Sequence, residues 1–113
     1  MCSQEELSRV LDQLTTRLRA LFGMHLRDVI LFGSYARNDA EYGSDVDVLV
    51  LVDLPREEIV SYRRRVAAIA GDILMSDNLL VSPIIENQAF FIQHRNELPF
   101  YRNIDREGVR IGA

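Results

Sequence analysis

LFGSYARNDAEYGSDVDVLV, residues 31–50, joins the end of one apolar run to the start of another across a turn-rich segment. The run Val29, Ile30, Leu31 and Phe32, led in by Asp28, is apolar at every position, which suits a short strand covered on both faces. Asp45 to Val52 predicts a second strand. Successive side chains of a strand alternate between faces, so Asp45 and Asp47 project to one side and Val46 and Val48 to the other. Leu49 and Leu51 continue the aspartate face as apolar residues, which sets the two carboxylates at the rim of the sheet. Carboxylates about 6 to 7 Å apart along a strand repel each other unless a cation lies between them. Mg²⁺ suits such a pair, because it takes one or two carboxylates from a protein and fills its octahedron with phosphate oxygens and water. Directly after the first strand, Gly33 lets a phosphate approach the backbone, and Ser34 supplies a hydroxyl and opens a helical turn with free N–H groups. An isolated Asp-Val-Asp also suits a solvated strand start. A Gly-Ser phosphate seat followed by a carboxylate pair is far more specific, and makes the two halves of a nucleoside triphosphate site.

Outward from this stretch, Ser3 and Glu6 form a capping box for a helix carried by Leu7, Val10, Leu11, Leu14, Leu18, Leu21 and Phe22, with Gly23 as its stop. After the second strand, Pro55 suits the first turn of a long helix reaching about Met75, with Ile59, Tyr62, Val66, Ile69 and Ile73 as its buried stripe. Leu79 to Ile85 predicts a third strand, placed at a sheet edge or bulged by Ser82 and Pro83. Residues 87–97 and 98–107 suit short helices, and Val109 to Ile111 a terminal strand. The order helix, strand, strand, helix, strand, helix predicts an α/β layer structure with a small mixed sheet, one domain over residues 1–113.

Composition narrows the function. The chain has 113 residues, 48% of them hydrophobic, enough for one core and too few for a second substrate domain. A formal charge of −4 argues against coating nucleic acid as the main task. All 13 basic residues are arginine, so a lysine nucleophile and a Walker-type lysine are excluded. A single cysteine, Cys2 near the chain start, gives no disulfide framework and no cysteine-based zinc site. No apolar run approaches the roughly 20 residues of a membrane span and no leader pattern stands at the N-terminus, so a reducing cytoplasm is expected.

Gly33-Ser34, ten residues, then Asp45-Val46-Asp47 resembles the G-S-x10-D-x-D pattern of the DNA polymerase β-like nucleotidyltransferase superfamily, and the short chain resembles its minimal nucleotidyltransferase branch. The similarity extends over nearly the whole chain, to the closing Arg106-Glu107-Gly108. The resemblance implies that Gly33 and Ser34 hold the triphosphate of ATP and that Asp45 and Asp47 ligate two catalytic Mg²⁺ ions. It adds Ser44 and Arg37 to the nucleotide site. Asn38 stands where the family more often has glycine, and asparagine tolerates positive φ better than other non-glycine residues. The family's usual third carboxylate, on the third strand, helps deprotonate the attacking hydroxyl. Here Ser82 aligns with it, with Val81 as the other register, and Glu86 and Asp77 are the nearest carboxylates in sequence. The resemblance also implies a setting: such proteins pair as antitoxins with small helical HEPN-type toxins, in some cases adenylylating a partner tyrosine.

Two functions of different classes follow. One is a Mg²⁺-dependent nucleotidyltransferase carrying AMP from ATP to a hydroxyl acceptor; the other is a non-catalytic module that holds nucleotide, or only the fold, and neutralises a partner by docking. A fragment of an aminoglycoside-type transferase is disfavoured by the missing second domain. Arg63, Arg64 and Arg65 read as a solvated helix face paired with Glu57 and Glu58, or as a partner or nucleic-acid contact; His25 and His94 as surface or cap residues; Tyr35 as a packed turn residue or a base-stacking one. Phe90, Phe91 and Phe100 suit either core or a docking face, and the oligomeric state, a homo-oligomer included, stays open.

Overall fold

A computed structural model describes residues 2–111. Helix α1 (Gln4–Phe22) begins at the capping box: the Glu6 N–H donates to Ser3 Oγ at 3.1 Å, and the Ser3 N–H donates to the Glu6 carboxylate at 3.2 Å. Strand β1 (Leu26–Phe32), the single turn α2 (Ser34–Arg37) and strand β2 (Val46–Val52) follow. Next come α3 (Arg56–Ile59), α4 (Arg63–Asp77), β3 (Val81–Asn87), α5 (Gln88–His94), α6 (Pro99–Glu107) and β4 (Val109–Arg110). The sheet runs β3-β2-β1-β4, with β2 and β3 parallel and the other two pairings antiparallel. It is the mixed sheet that the element order predicts.

The alternation within β2 divides the core. Val46, Val48, Val50 and Val52 join the stripe of α1 and the Val66, Ile69 and Ile73 stripe of α4 on one face. Leu49 and Leu51 join Ile30, Phe91 and Ile104 under α5 and α6 on the other. Both faces are therefore covered, which is why β2 reads as unbroken apolar sequence after its aspartates.

β3 is an edge strand, as Pro83 predicts. The Leu80 carbonyl accepts from the Val46 N–H at 2.8 Å, so even-numbered residues of β3 face β2 and Pro83 falls on the free edge, where its missing donor costs no ladder bond.

The long helix predicted from Pro55 to Met75 is broken. Pro55 precedes one turn, α3, and a tighter 3₁₀ turn at Val60–Tyr62 intervenes before α4. The Ser61 hydroxyl donates to the Glu58 carbonyl at 2.7 Å, and Tyr62 packs on Phe22 at the end of α1 with ring centroids 4.7 Å apart. Among the described residues, no helix is long and apolar enough to cross a membrane.

Candidate active site

Gly33 links β1 to α2 with φ 75° and ψ −155°, a backbone conformation essentially confined to glycine. A Cβ at this position would collide with Oδ2 of Asp47. β1 and β2 pair in register Phe32 with Asp47, so the Gly-Ser turn and the second aspartate meet at the same end of the sheet. The turn closes on Asn38 at φ 62°, the left-handed position for which asparagine substitutes for glycine. Tyr35 is buried, with its hydroxyl accepting from the Cys2 N–H at 3.4 Å; it packs the turn from behind.

Gly33, Ser34, Arg37 and Asp47 line one wall of a cleft of about 430 Å³. Phe100, Asn103 and Glu107 of α6 line the other, and Glu107 reaches across to Arg37 at 3.4 Å. Arg37 also holds Asp39 at 3.1 Å. Phe100 reads from sequence only as core or docking face and Glu107 only as part of the closing segment, whereas the spacing at 100, 103 and 107 is that of one helical face.

Asp45 and Ser44 line a separate cleft of about 470 Å³, together with Leu74, Asp77 and Leu80. The Ser44 hydroxyl accepts from the Glu41 N–H at 2.8 Å and its own N–H donates to the Glu41 carbonyl at 3.0 Å, so Ser44 closes the turn that delivers Asp45. The two aspartates sense each other. Burial first, then the charge of Asp45, hold the Asp47 carboxyl above the usual carboxylate range, with Arg37 opposing. A divalent cation would relieve this mutual repulsion. Among the described residues no cluster of three or more His, Cys, Asp or Glu could hold a metal. Two hard carboxylates are the donor set that a cation drawing its other oxygens from phosphate and water would take from a protein.

Ser82 stands beside Asp47 in the parallel β2–β3 register, and its hydroxyl donates to Asp45 Oδ2 at 3.2 Å. Val81 pairs with Val46 and is buried in the main core. Glu86 pairs with Leu51, about 13 Å further along the strand, where it is buried against the Tyr101 hydroxyl and Arg56 Nε. Asp77 is held by Arg9 at 3.2 Å and by Ser76 at 2.8 Å. Glu86 accordingly ties α3 and α6 to the sheet, and Tyr101→Phe, which removes a donor from a buried carboxylate, should cost about 1–3 kcal/mol in urea unfolding. An unchanged midpoint would show that Glu86 does not need Tyr101.

The remaining residues singled out in the sequence lie away from these clefts. His25 pairs with Asp53 at 2.7 Å and His94 with Glu97 at 3.3 Å, both at the surface. Among the described residues, no ion pair joins Arg63, Arg64 or Arg65 to Glu57 or Glu58; Arg65 lies over the Tyr62 ring at 4.4 Å instead. Phe91 is core, Phe90 carries Arg56 at 4.0 Å over its ring, and Phe100 is half exposed in the first cleft.

Residues 11–102 match the family model described as a nucleotidyltransferase domain. A protein of Methanocaldococcus jannaschii named "putative protein adenylyltransferase" is 31% identical over 97 residues, covering 85% of this chain and 95% of its own. The protein adenylyltransferase MntA of Thermococcus cleftensis is 32% identical over 84 residues, covering 70% of this chain and 83% of its own. A crystal structure of a toxin–antitoxin with AMP-PNP is similar in fold, with a TM-score of 0.57 over 88% of this chain and 70% of that one at 17% identity.

Proposed function

The chain belongs to the nucleotidyltransferase domain family, and we propose that it transfers AMP from ATP to a hydroxyl group of a partner protein. The observation that carries this is the close approach of the glycine-only turn at Gly33 to the Asp47 carboxylate in one cleft, with Asp45 in the adjoining one, which supports a phosphate seat beside a cation seat. The relatives named as protein adenylyltransferases support the choice of AMP and of a protein acceptor.

In this proposal Asp45 and Asp47 hold Mg²⁺, and Gly33, Ser34 and Arg37 hold the triphosphate, with Ser44 positioning Asp45. The bound cations would polarise the α-phosphate and neutralise the leaving pyrophosphate. The acceptor oxygen attacks the α-phosphorus, the bond from that phosphorus to the bridging oxygen breaks, and pyrophosphate departs with both bonding electrons. Arg37 must exchange Glu107 and Asp39 for phosphate oxygens as the nucleotide enters. The acceptor proton passes to water, since Ser82, beside Asp47, is no base at neutral pH. The solved toxin–antitoxin of similar fold supports a toxin partner, of the helical HEPN type that the sequence resemblance implies, with this chain as its antitoxin.

Calorimetry with MgATP tests the site. Wild type should bind, and Asp45→Asn should not; equal affinities would remove Asp45 from the cation seat.

Ser82 also favours a second reading, a module that binds nucleotide and neutralises its partner without transfer. The Ser82→Asp variant separates the two. A carboxylate beside Asp47 and Asp45 supplies the missing base, and a positioned base is worth about 10²–10⁴ in rate. Transfer by Ser82→Asp should rise by about 10² or more over wild type. Absence of transfer in both proteins alongside tight docking would decide for the module.

A further inference from the structure

A groove of about 530 Å³ runs between α4 and the free edge of β3, floored by Ala67, Ala70, Gly71 and Pro83 and flanked by Leu74 and Ile84. Its apolar rim is open to solvent: Leu80 is 45% exposed, and Leu74 and Ile84 are each 39% exposed. Arg63 lines one end, Arg64 stands next to it, and among the described residues neither forms an ion pair. At the other end Leu74 and Leu80 also line the cleft that holds Asp45, so the groove opens onto one side of the carboxylate pair.

We infer that this groove seats an amphipathic helix of the partner protein, its apolar face packed between α4 and β3 and its flanking carboxylates against Arg63 and Arg64. The occupant is a helix because Pro83 removes the central donor of the free β3 edge, so an added strand could not continue the ladder. The small side chains of Ala67, Ala70 and Gly71 let a helix backbone approach closely. Its flanks are acidic because Arg63, which has no carboxylate partner among the described residues, lines the groove, and Arg64 follows it on the exposed side of α4. Pairing of the groove with α4 of a second copy fits less well, since the α4 carboxylates Asp72 and Asp77 are already held by Arg17 at 2.8 Å and Arg9 at 3.2 Å. Helix docking here deepens the proposed transfer, and rests on it only in one respect: a segment seated in the groove would bring an acceptor hydroxyl to Asp45, while the triphosphate occupies the cleft beside Asp47.

Fluorescence anisotropy tests it with two synthetic amphipathic helical peptides, leucine-faced and flanked either by glutamates or by lysines. The glutamate peptide should bind wild type at least about tenfold more tightly than the lysine peptide. Ala67→Arg, an exposed helical position that keeps helix propensity, should weaken glutamate-peptide binding by about tenfold or more, and the pair Arg63→Glu with Arg64→Glu should reverse the peptide preference. Calorimetry with MgATP on the same variants should be unchanged, since none of the three residues lies in the nucleotide cleft. Equal binding of the two peptides, no binding, or indifference to Ala67→Arg would overturn the inference. A wild-type dimer dissociated by Ala67→Arg in sedimentation would overturn it in favour of a second copy. Peptide binding with no MgATP binding would sink the transferase and leave the docking surface standing.

Discussion

Gly33→Val is expected to abolish MgATP binding in calorimetry and to lower stability by about 1–3 kcal/mol, the cost of holding a non-glycine residue in a glycine-only region of φ and ψ. The collision is local. The new Cβ lands on Asp47 Oδ2, so it displaces a cation ligand and fills the phosphate seat at once. The capping box of α1 and its buried stripe pack on the other face of the sheet, so helix content by circular dichroism should persist. A Gly33→Val protein that binds MgATP like wild type would mean that the phosphates lie elsewhere. Gly33→Ala should show the same direction, because the clash begins at Cβ.

Asp47→Asn should lose Mg²⁺-dependent nucleotide binding altogether, while the apoprotein becomes more heat-stable at neutral pH. The sign follows from the raised pKa. Burial and Asp45 disfavour the ionised form of Asp47 in the fold, so its carboxylate contributes a penalty. That penalty is absent below the usual carboxylate range and fully present once the pH has passed the raised value. Asparagine, uncharged and nearly the same shape, removes it, so the stability difference should shrink as the pH falls toward the acid range. Adding Mg²⁺ and ATP reverses the ranking. Wild type should gain about 2.7 kcal/mol at a ligand concentration a hundred times its Kd, and the variant nothing. Thermal unfolding with and without MgATP measures both halves. An apo Asp47→Asn protein less stable than wild type would mean that Asp47 is a structural anchor rather than a poised ligand. Such an exchange of stability for a charged, partly desolvated site is common where a protein binds something.

Much of this was legible in the order of residues. Several local rules acting on neighbouring positions agree with the structure: the Ser3–Glu6 capping box, the valine–leucine alternation of β2, the left-handed Asn38, and Pro83 on a free edge. The pairing of Gly33 with Asp47 was legible only through its pattern, since the contact itself depends on the register of β1 against β2. What stayed hidden depends on long-range packing. Glu107 meets Arg37 from 70 positions away, and its face of α6 is chosen by Ile104 seating against Ile30 and Phe91. The break before α4 turned on the Tyr62–Phe22 contact, which no local propensity contains. Ser44 matched a motif by position, yet its hydroxyl is engaged by the Glu41 backbone.

If the Asp45–Asp47 pair moves a nucleoside monophosphate, position-labelled ATP will reveal which phosphate is transferred. The protein is incubated with Mg²⁺ and an extract of its own cells, using ATP labelled with ³²P at the α-phosphate in one series and at the γ-phosphate in the other. Over extract alone, extra covalent label on protein should appear from the α position only, require Mg²⁺, and vanish with Asp47→Asn. Excess label from the γ position, or excess α label undiminished by Asp47→Asn, would contradict it.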